Sequence, residues 1–195
     1  MRDNERERLM EKDLGGREVF SGRVFSVEVR DVALSDGERS TREIVRHPGG
    51  AAILALTSDL QMPLIWQYRA PYGELIPELP AGKVERGESP LACAQRELLE
   101  ECGLSSDNWQ MFLSFYPSPG YLDESIHVFI ARDCQKVQEM MPDPGEFIHC
   151  EWISLAEAYQ RVLRGEIKDA KTQLALLHHM CLESQEAEVV YGEND

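Results

Sequence analysis

The apolar residues of this chain recur mostly at the spacing of β-strands, with glycine, proline and aspartate in the breaks between them. Two strands are predicted within residues 17–34, with a bend at Ser21-Gly22. Further strands are predicted at 41–47, 51–56, 64–68, 109–116, 125–131 and 147–153. Residues 133–146 contain two prolines and a glycine, and they are predicted to form an irregular loop.

Three segments have helical patterns instead. The first starts at Ser89-Pro90 and ends at Gly103, which predicts a capped helix between them. A second, amphipathic helix is predicted from residue 155 to about 165, and Asp169 is predicted to cap a third that runs through Met180. Strands before and after one central helix, followed by two more helices, predict a mixed sheet covered by helices on both sides.

The central helix carries Glu97, Glu100 and Glu101 on one face, because residues three and four apart are neighbours on a helix. Like charges at this spacing destabilise a bare helix, so a cation is expected beside them. Clustered carboxylate oxygens suit Mg²⁺ or Mn²⁺. The alternative is a solvated acidic face, which is the commoner role of such glutamates when they stand alone.

The spacing of the whole segment resembles the Nudix box: glycine, five residues, glutamate, seven residues, then Arg-Glu-aliphatic-x-Glu-Glu-x-Gly-aliphatic. The matching residues are Gly82, Glu88, Arg96, Glu97, Leu98, Glu100, Glu101, Gly103 and Leu104. The resemblance implies a Nudix-type α/β/α sandwich with a mixed sheet, together with a small N-terminal antiparallel β-sheet region. It also implies a metal-dependent hydrolase of nucleoside diphosphates linked to another group.

Motifs outside the box, over roughly residues 17–180, resemble the ADP-ribose pyrophosphatase branch of this family. They are Arg42-Glu43, Gln67-Tyr68-Arg69, Glu78-Leu79-Pro80-Ala81-Gly82, Ser118-Pro119-Gly120 and Asp169-Ala170-Lys171-Thr172. Pro119 lies fifteen residues after Leu104, where this branch carries a proline. Arg42 stands near the position where members that stack adenine between aromatic rings carry a tryptophan.

The resemblance implies roles for the box residues. Glu97 and Glu101 would be the principal ligands of two or more Mg²⁺ or Mn²⁺ ions, with Glu100 and the carbonyl of Ala81 as further ligands. Arg96 would brace the box by pairing with a carboxylate, for which Glu88 is one candidate. Besides Glu100, the catalytic candidates are loop residues: Glu146 as the general base, with Glu139 and Asp143 as alternatives.

The resemblance also implies substrate contacts. Arg69 would reach the phosphates, and the alternative for it is a surface salt bridge. Arg42 and Arg46 share one face of their strand and are assigned to the nucleotide, as are Pro119 and Gly120 in the rigid loop. In this branch the N-terminal sheet contributes to the site of a partner subunit, which implies a homodimer.

The implied reaction is hydrolysis of ADP-ribose to AMP and ribose 5-phosphate. Two alternatives stay open: a Nudix pyrophosphatase acting on another sugar nucleotide such as GDP-mannose or on a dinucleotide, and a non-catalytic Nudix module that senses a nucleotide. The predicted regions are a charged arm (1–16), an N-terminal β region (17–47), the Nudix domain (48–182) and an acidic tail (183–195).

The composition of the chain limits the kinds of partner and the cellular location that we expect. The 195 residues carry a net charge of −15, which argues against nucleic acid and anionic membranes as partners. No apolar run approaches the ~20 residues of a membrane span, and the N-terminus lacks the apolar core of a signal peptide. The five cysteines are scattered without a C-x-x-C pair, so reduced thiols are expected and zinc is not. A cytoplasmic location is predicted.

Overall fold

The computed structural model describes residues 1–192, and it describes only the backbone for Asn4 and for residues 186–192. The strands, in chain order, are β1 (Lys12–Ser21), β2 (Ser26–Ala33), β3 (Arg39–Arg46), β4 (Gly50–Ala55), β5 (Gln61–Arg69), β6 (Glu74–Glu78), β7 (Ala81–Lys83), β8 (Leu104–Ser105), β9 (Asn108–Phe115), β10 (Ile126–Arg132), β11 (Gln135–Lys136) and β12 (Ile148–Ser154). The helices are α1 (Asp3–Glu7), α2 (Pro90–Cys102), α3 (Leu155–Leu163) and α4 (Ala170–Gly192).

The chain divides into two compact units. The smaller unit comprises Met1–Gly49 and Tyr116–Ser125, and the larger unit comprises Gly50–Phe115 and the chain from Ile126 onward. The first division therefore follows Gly49, two residues beyond the end of the predicted N-terminal β region.

The smaller unit contains an antiparallel sheet in the order β1-β2-β3. Strand β1 begins at Lys12, inside the segment assigned from the sequence to a charged arm. Gly15 adopts a φ of 104°, and the pairing register of β1 with β2 shifts there. A β-carbon at Gly16 would lie 2.6 Å from the carbonyl oxygen of Val29. The two glycines therefore distort the strand instead of ending it.

The loop of residues 116–125 pairs with β3 inside the smaller unit. The N–H of Val45 donates to the carbonyl of Tyr121 at 2.8 Å, and the N–H of Asp123 donates to the carbonyl of Val45 at 3.1 Å. The Asp123 carboxylate also accepts a bond from the N–H of His47 at 2.8 Å. This loop, which contains the predicted rigid proline–glycine segment, is therefore attached to the N-terminal sheet.

The larger unit contains a four-stranded mixed sheet in the order β7-β4-β10-β9, in which β4 and β10 are parallel. A second, antiparallel sheet has the order β12-β5-β6. Strands β6 and β7 were not predicted from the sequence; β6 contains Pro77, and β7 follows directly after Pro80. Pro77 is tolerated because β6 is an edge strand. The predicted irregular loop contains the two-residue strand β11, which pairs with β8.

Alternate residues of β4 belong to two hydrophobic cores. Ala52 and Leu54 lie in a core with residues of α3 and α4, whereas Ala51, Ile53 and Ala55 lie in a core with residues of α2. All six residues of β4 are buried, as expected for a strand covered on both faces. The predicted α/β/α sandwich with a mixed sheet is confirmed.

Helix α2 has the caps that its sequence predicts. The Ser89 side chain accepts a bond from the N–H of Ala92 at 3.2 Å, and Pro90 occupies the first turn. At the other end Gly103 adopts the left-handed conformation with a φ of 68°, and its N–H donates back to Leu98 and Leu99. These caps set where the acidic face of the helix begins and ends.

Helix α4 begins after Asp169, whose carboxylate accepts a bond from the N–H of Thr172 at 2.9 Å. It continues to Gly192 and thus includes residues 183–192 of the segment assigned to an acidic tail; residues 193–195 lie outside the described part of the chain. Within that part, no helix combines the length and apolarity needed to span a bilayer.

Candidate active site

Arg96 joins three carboxylates at the start of the acidic face of α2. Its Nε and Nη2 donate to Glu88 at 2.9 and 3.1 Å, and its Nη1 donates to Glu97 at 2.7 Å and to Glu100 at 3.0 Å. The bonds to Glu88 raise the pKa of Arg96 above its already high value. Arg96 is thus a permanent cation beside the crowded glutamates, as the charge pattern requires.

Glu97 lies directly against the backbone of β7. A β-carbon built on Gly82 would be 1.7 Å from its Oε1 atom, so the absence of a side chain at Gly82 makes room for this carboxylate. Burial raises the pKa of Glu97 against the opposing bond from Arg96, and the charges of Glu100 and Glu146 raise it further.

Glu101 is buried, with only 3% of its surface exposed. One carboxylate oxygen accepts a hydrogen bond from the backbone N–H of Ala81 at 2.9 Å. Burial raises the pKa of Glu101 to about 8, against the bond from Ala81, and repulsion from Glu97 and Glu146 contributes. A solvated acidic face does not describe this residue, because a buried carboxylate needs a proton or a cation.

The donor set of α2 fits a hard divalent cation. Its side chains offer carboxylate oxygens, which Mg²⁺ and Mn²⁺ prefer, and the glycine at position 82 makes room for one of these groups, the carboxylate of Glu97. Among the described residues, no three acidic, histidine or cysteine side chains already surround one ion position. Arg96 engages Glu97 and Glu100, and the Ala81 amide engages Glu101.

Among the loop residues predicted as the general base, Glu146 is the one whose charge affects the glutamates of α2. Its carboxylate accepts a bond from Gln67 at 3.3 Å and is half-buried, and its charge raises the pKa values of Glu97 and Glu101. The alternatives have different surroundings. Glu139 is 87% exposed and pairs with Lys136 at 2.8 Å, while Asp143 is exposed.

Arg69 forms a two-point contact with the buried carboxylate of Glu78. Its Nε and Nη2 donate at 2.6 and 2.7 Å, and Lys171 donates to the same carboxylate. Burial alone would raise the pKa of Glu78, but the contacts with Arg69 and Lys171 outweigh it and lower the pKa below its ordinary value. The salt bridge that was the alternative role of Arg69 is therefore present, with a partner that is 5% exposed instead of one at the surface.

The remaining predicted substrate residues belong to the smaller unit. There are four of them, and all line a cavity of about 390 Å³: Arg42, Arg46, Pro119 and Gly120. Arg42 donates to Glu11 at 3.0 Å, and Arg46 donates to Glu28 at 2.6 Å and to Asp123 at 2.9 Å. Both arginines therefore already have acidic partners.

The contacts of Glu78, Lys171 and Thr172 were not predicted. The hydroxyl of Thr172 accepts a bond from the N–H of Leu79 at 2.8 Å, although 93 residues separate the two positions. Glu78 and Lys171 are equally distant in the sequence. The motif that begins at Glu78 and the motif that ends at Thr172 both resemble the ADP-ribose pyrophosphatase branch. That common resemblance was the only sign in the sequence that the two motifs contact each other.

Two features define the class of protein. One is the mixed sheet covered by helices on both faces, and the other is the acidic face of α2, which lies against Gly82 in β7. The NUDIX domain model matches residues 46–176, and the chain belongs to this family of pyrophosphohydrolases. It is 39% identical over 181 residues to the ADP-ribose pyrophosphatase of Bacillus subtilis (strain 168), with 92% of this chain and 98% of that one covered.

Two further comparisons place the chain among proteins of similar sequence or fold. The chain is 40% identical over 178 residues to the methanol dehydrogenase activator of Bacillus methanolicus, with 91% of this chain and 95% of that one covered. Among solved structures, an ADP compounds hydrolase matches with a TM-score of 0.77 at 22% identity, covering 90% of this chain and 95% of that one. At that identity the likeness shows the fold alone.

Proposed function

We propose that the protein hydrolyses the pyrophosphate bond of a nucleoside diphosphate sugar, with ADP-ribose as the substrate and AMP and ribose 5-phosphate as the products. The observation that carries the proposal is the buried Glu101 on the same helix as Glu97, in a segment, residues 82–104, that matches every position of the Nudix box. The choice of ADP-ribose follows the similarity over nearly full length to the pyrophosphatase of B. subtilis.

The metal is the proposed cofactor. Members of this family generally require a divalent ion, and two or more Mg²⁺ or Mn²⁺ ions suit the carboxylates of Glu97, Glu100 and Glu101 and the carbonyl of Ala81. When bound, such ions acidify a water molecule and neutralise the charge that develops on the phosphates. Arg96 orients Glu97 and Glu100 through its bonds, and the amide of Ala81 orients Glu101.

Glu146 is the proposed general base. It shares the electrostatic environment of Glu97 and Glu101, and Gln67 supports its carboxylate. A carboxylate in this environment could accept the proton of an attacking water. Glu139 is a weaker candidate because it is largely exposed and paired with Lys136.

Three matched variants test these roles. Glu101→Gln and Glu146→Gln should each lower turnover of ADP-ribose at saturating Mg²⁺ by at least about 100-fold, with the fold retained. Glu139→Gln, which removes the same charge from an exposed loop position, should stay within about twofold of the wild type. Wild-type turnover in Glu101→Gln would refute the ligand assignment, and wild-type turnover in Glu146→Gln would refute only the base.

The substrate is tested by a mass balance in ¹⁸O water. ADP-ribose, GDP-mannose and a dinucleotide are incubated with and without Mg²⁺, and all products are quantified by mass spectrometry. The proposal expects AMP and ribose 5-phosphate in equal amounts, with the label in one of them identifying the attacked phosphorus. Faster cleavage of GDP-mannose would select the alternative substrate, and binding without cleavage would select a sensing module.

We also propose that the protein is a homodimer in which the smaller unit contributes Arg42, Arg46, Pro119 and Gly120 to the partner's site. The cavity that these four residues line supports this assignment, since two arginines there could face a nucleotide. Mixing Glu101→Gln with Arg46→Glu tests it, because a shared site would restore part of the activity that each variant lacks. No restored activity in a verified heterodimer would contradict the proposal.

The cytoplasm is the proposed location. The cysteines at positions 93, 102, 134, 150 and 181 are all free thiols, which fits a reducing compartment. Fractionation of the source cells, followed by detection of the native protein, tests this assignment. Recovery outside the cytoplasm would contradict it.

A further inference from the structure

The carboxylate of Glu78 lies buried between two cations that come from distant parts of the larger unit. Arg69 contacts it with two nitrogens from the neighbouring strand, and Lys171 reaches it from the first turn of α4. Lys171 also donates to Asp169 at 3.0 Å, and its side chain is only 12% exposed. Neither cation is a loosely held surface charge, because Glu78 fixes both.

Arg69 retains part of its guanidinium for a ligand. Within the part of the chain that the structure describes, its side chain donates hydrogen bonds through Nε and Nη2, and Nη1 has no protein partner there. The side chain is 41% exposed and lines a cavity of about 400 Å³ in the larger unit. A guanidinium held along one edge presents its other N–H groups in a fixed direction.

Arg69, Glu78, Asp169 and Lys171 form a charge cluster whose formal charges cancel. Arg69 and Lys171 contribute two positive charges, and Glu78 and Asp169 contribute two negative charges. Without Lys171 the cluster would carry one net negative charge beside Arg69. A diphosphate approaching Arg69 would then meet this net negative charge of the cluster at short range, where screening by solvent is incomplete.

We propose that Lys171 is a positioning residue for phosphate binding: it neutralises Glu78, so that Glu78 can hold Arg69 without cancelling the attraction of Arg69 for a substrate diphosphate. This inference rests on the proposed pyrophosphatase function for the identity of the ligand. It assigns to the Asp169-Ala170-Lys171-Thr172 motif a role in substrate affinity in addition to its role at the start of α4.

The first test compares two lysine-to-methionine variants. Lys171→Met should raise the KM for ADP-ribose on the order of tenfold with little change in kcat, because one net charge is added beside the phosphate site. Lys168→Met is the matched control: Lys168 lines the same cavity but pairs with Glu74 at 3.0 Å at the exposed rim. It should change KM by less than about twofold. Equal effects of the two variants would overturn the proposal.

The second test separates charge from structure. In Glu78→Gln/Lys171→Met the cluster is again neutral, so this double variant should bind better than Lys171→Met alone, and Lys171→Arg should restore most of the affinity. A purely structural role predicts the opposite, since the double variant loses more native contacts. Thermal unfolding verifies that each variant is folded, and a folded double variant that binds no better than Lys171→Met would refute the charge argument.

Affinity is also measured without turnover, by calorimetry with the non-hydrolysable α,β-methylene analogue of ADP-ribose. The dissociation constant should be smallest for the wild type and Lys168→Met. It should then rise from Lys171→Arg through the double variant to Lys171→Met, which should bind most weakly. A wild type that binds the analogue but does not hydrolyse ADP-ribose would refute the proposed function alone. The comparison of dissociation constants would still decide the role of Lys171.

Discussion

The carboxylate of Glu97 occupies the space beside Gly82 where any other residue would carry its β-carbon. The added atom would lie 1.7 Å from Oε1 of Glu97 and 2.0 Å from its carboxylate carbon. The clash involves the far end of a flexible side chain, and the nearest atoms include no backbone. A larger residue at position 82 can therefore fit, but only if Glu97 moves.

Gly82→Ala should thus separate activity from stability. We expect a loss of unfolding free energy of no more than about 1 kcal/mol, because the Glu97 side chain can rotate away. We expect turnover to fall by at least about 50-fold, because the carboxylate leaves the box. Urea unfolding and ADP-ribose hydrolysis measure the two effects.

Gly37→Ala is the matched control for this prediction. Gly37 has a φ of 89° in the turn between β2 and β3, with no atom within 4 Å of the added carbon. The strained backbone should cost about 1 kcal/mol of stability and leave turnover unchanged. A Gly82→Ala variant with wild-type turnover would show that Glu97 does not need its observed position.

The parts of the site set by local chemistry were predictable from the sequence. Ser89, Pro90 and Gly103 define the ends of α2 through short-range capping, and the spacing of Glu97 and Glu101 follows from helix geometry. These interactions join residues only a few positions apart. The acidic helix and its direction could therefore be predicted without knowledge of the rest of the fold.

The parts set by long-range packing were not predictable. The predicted charged arm ended at Gly16, but the role of this glycine within β1 depends on the close approach of Val29 from β2. Strand β6 was not predicted, and the place of Pro77 within it depends on that strand lying at a sheet edge. The burial of Glu78 depends on Lys171, which is 93 residues away. No local pattern encodes such pairs.

Thr172 holds the segment between β6 and β7 through one buried hydroxyl. It accepts a bond from the N–H of Leu79 at 2.8 Å and donates to Asp169 at 2.6 Å, and it is fully buried. Thr172→Val should lower the unfolding free energy by about 1–3 kcal/mol, because the buried N–H of Leu79 loses its acceptor. Chemical denaturation of the purified protein measures the change.

Thr172→Ser provides the comparison, since it keeps the hydroxyl and removes only a buried methyl group. Its cost should be about 1 kcal/mol. The prediction is the order of the two variants: valine, which is closer to threonine in shape, should be the more harmful. A Thr172→Val protein as stable as Thr172→Ser would show that the hydrogen bond contributes nothing measurable.

The cysteines should differ sharply in reactivity. Burial raises the pKa of Cys93 to about 12 and that of Cys134 to about 11, so few of these thiols ionise at neutral pH. Cys181 is exposed. A thiol-specific reagent should modify Cys181 rapidly in the native protein and reach Cys93 and Cys134 only on unfolding. Cys181→Ser should abolish the fast phase, and rapid labelling of Cys93 in the folded protein would contradict its burial.

The Glu151–Arg161 pair should make stability depend on pH. Arg161 donates to both oxygens of Glu151 at 2.7 and 2.9 Å, and the indole of Trp66 donates at 2.7 Å. The bonds from Arg161 lower the pKa of Glu151 below its ordinary value of 4.5, against the effect of burial, and the bond from Trp66 adds to this. The pKa of Glu151 is lower in the folded protein than in the unfolded chain. The stabilisation is therefore present above about pH 4.5 and is lost as pH falls through the pKa of the folded state.

Glu151→Gln should therefore be less stable than the wild type at pH 7, by about 1 kcal/mol, and the difference should shrink toward zero as pH falls below 4. Urea unfolding of both proteins between pH 7 and pH 3 measures this difference and cancels the acid effects of the other carboxylates. Glu166→Gln, which breaks the exposed pair with Arg164, should show little difference at any pH. A stability gap for Glu151→Gln that stays constant across this range would mean that the carboxylate charge is not what stabilises the fold there.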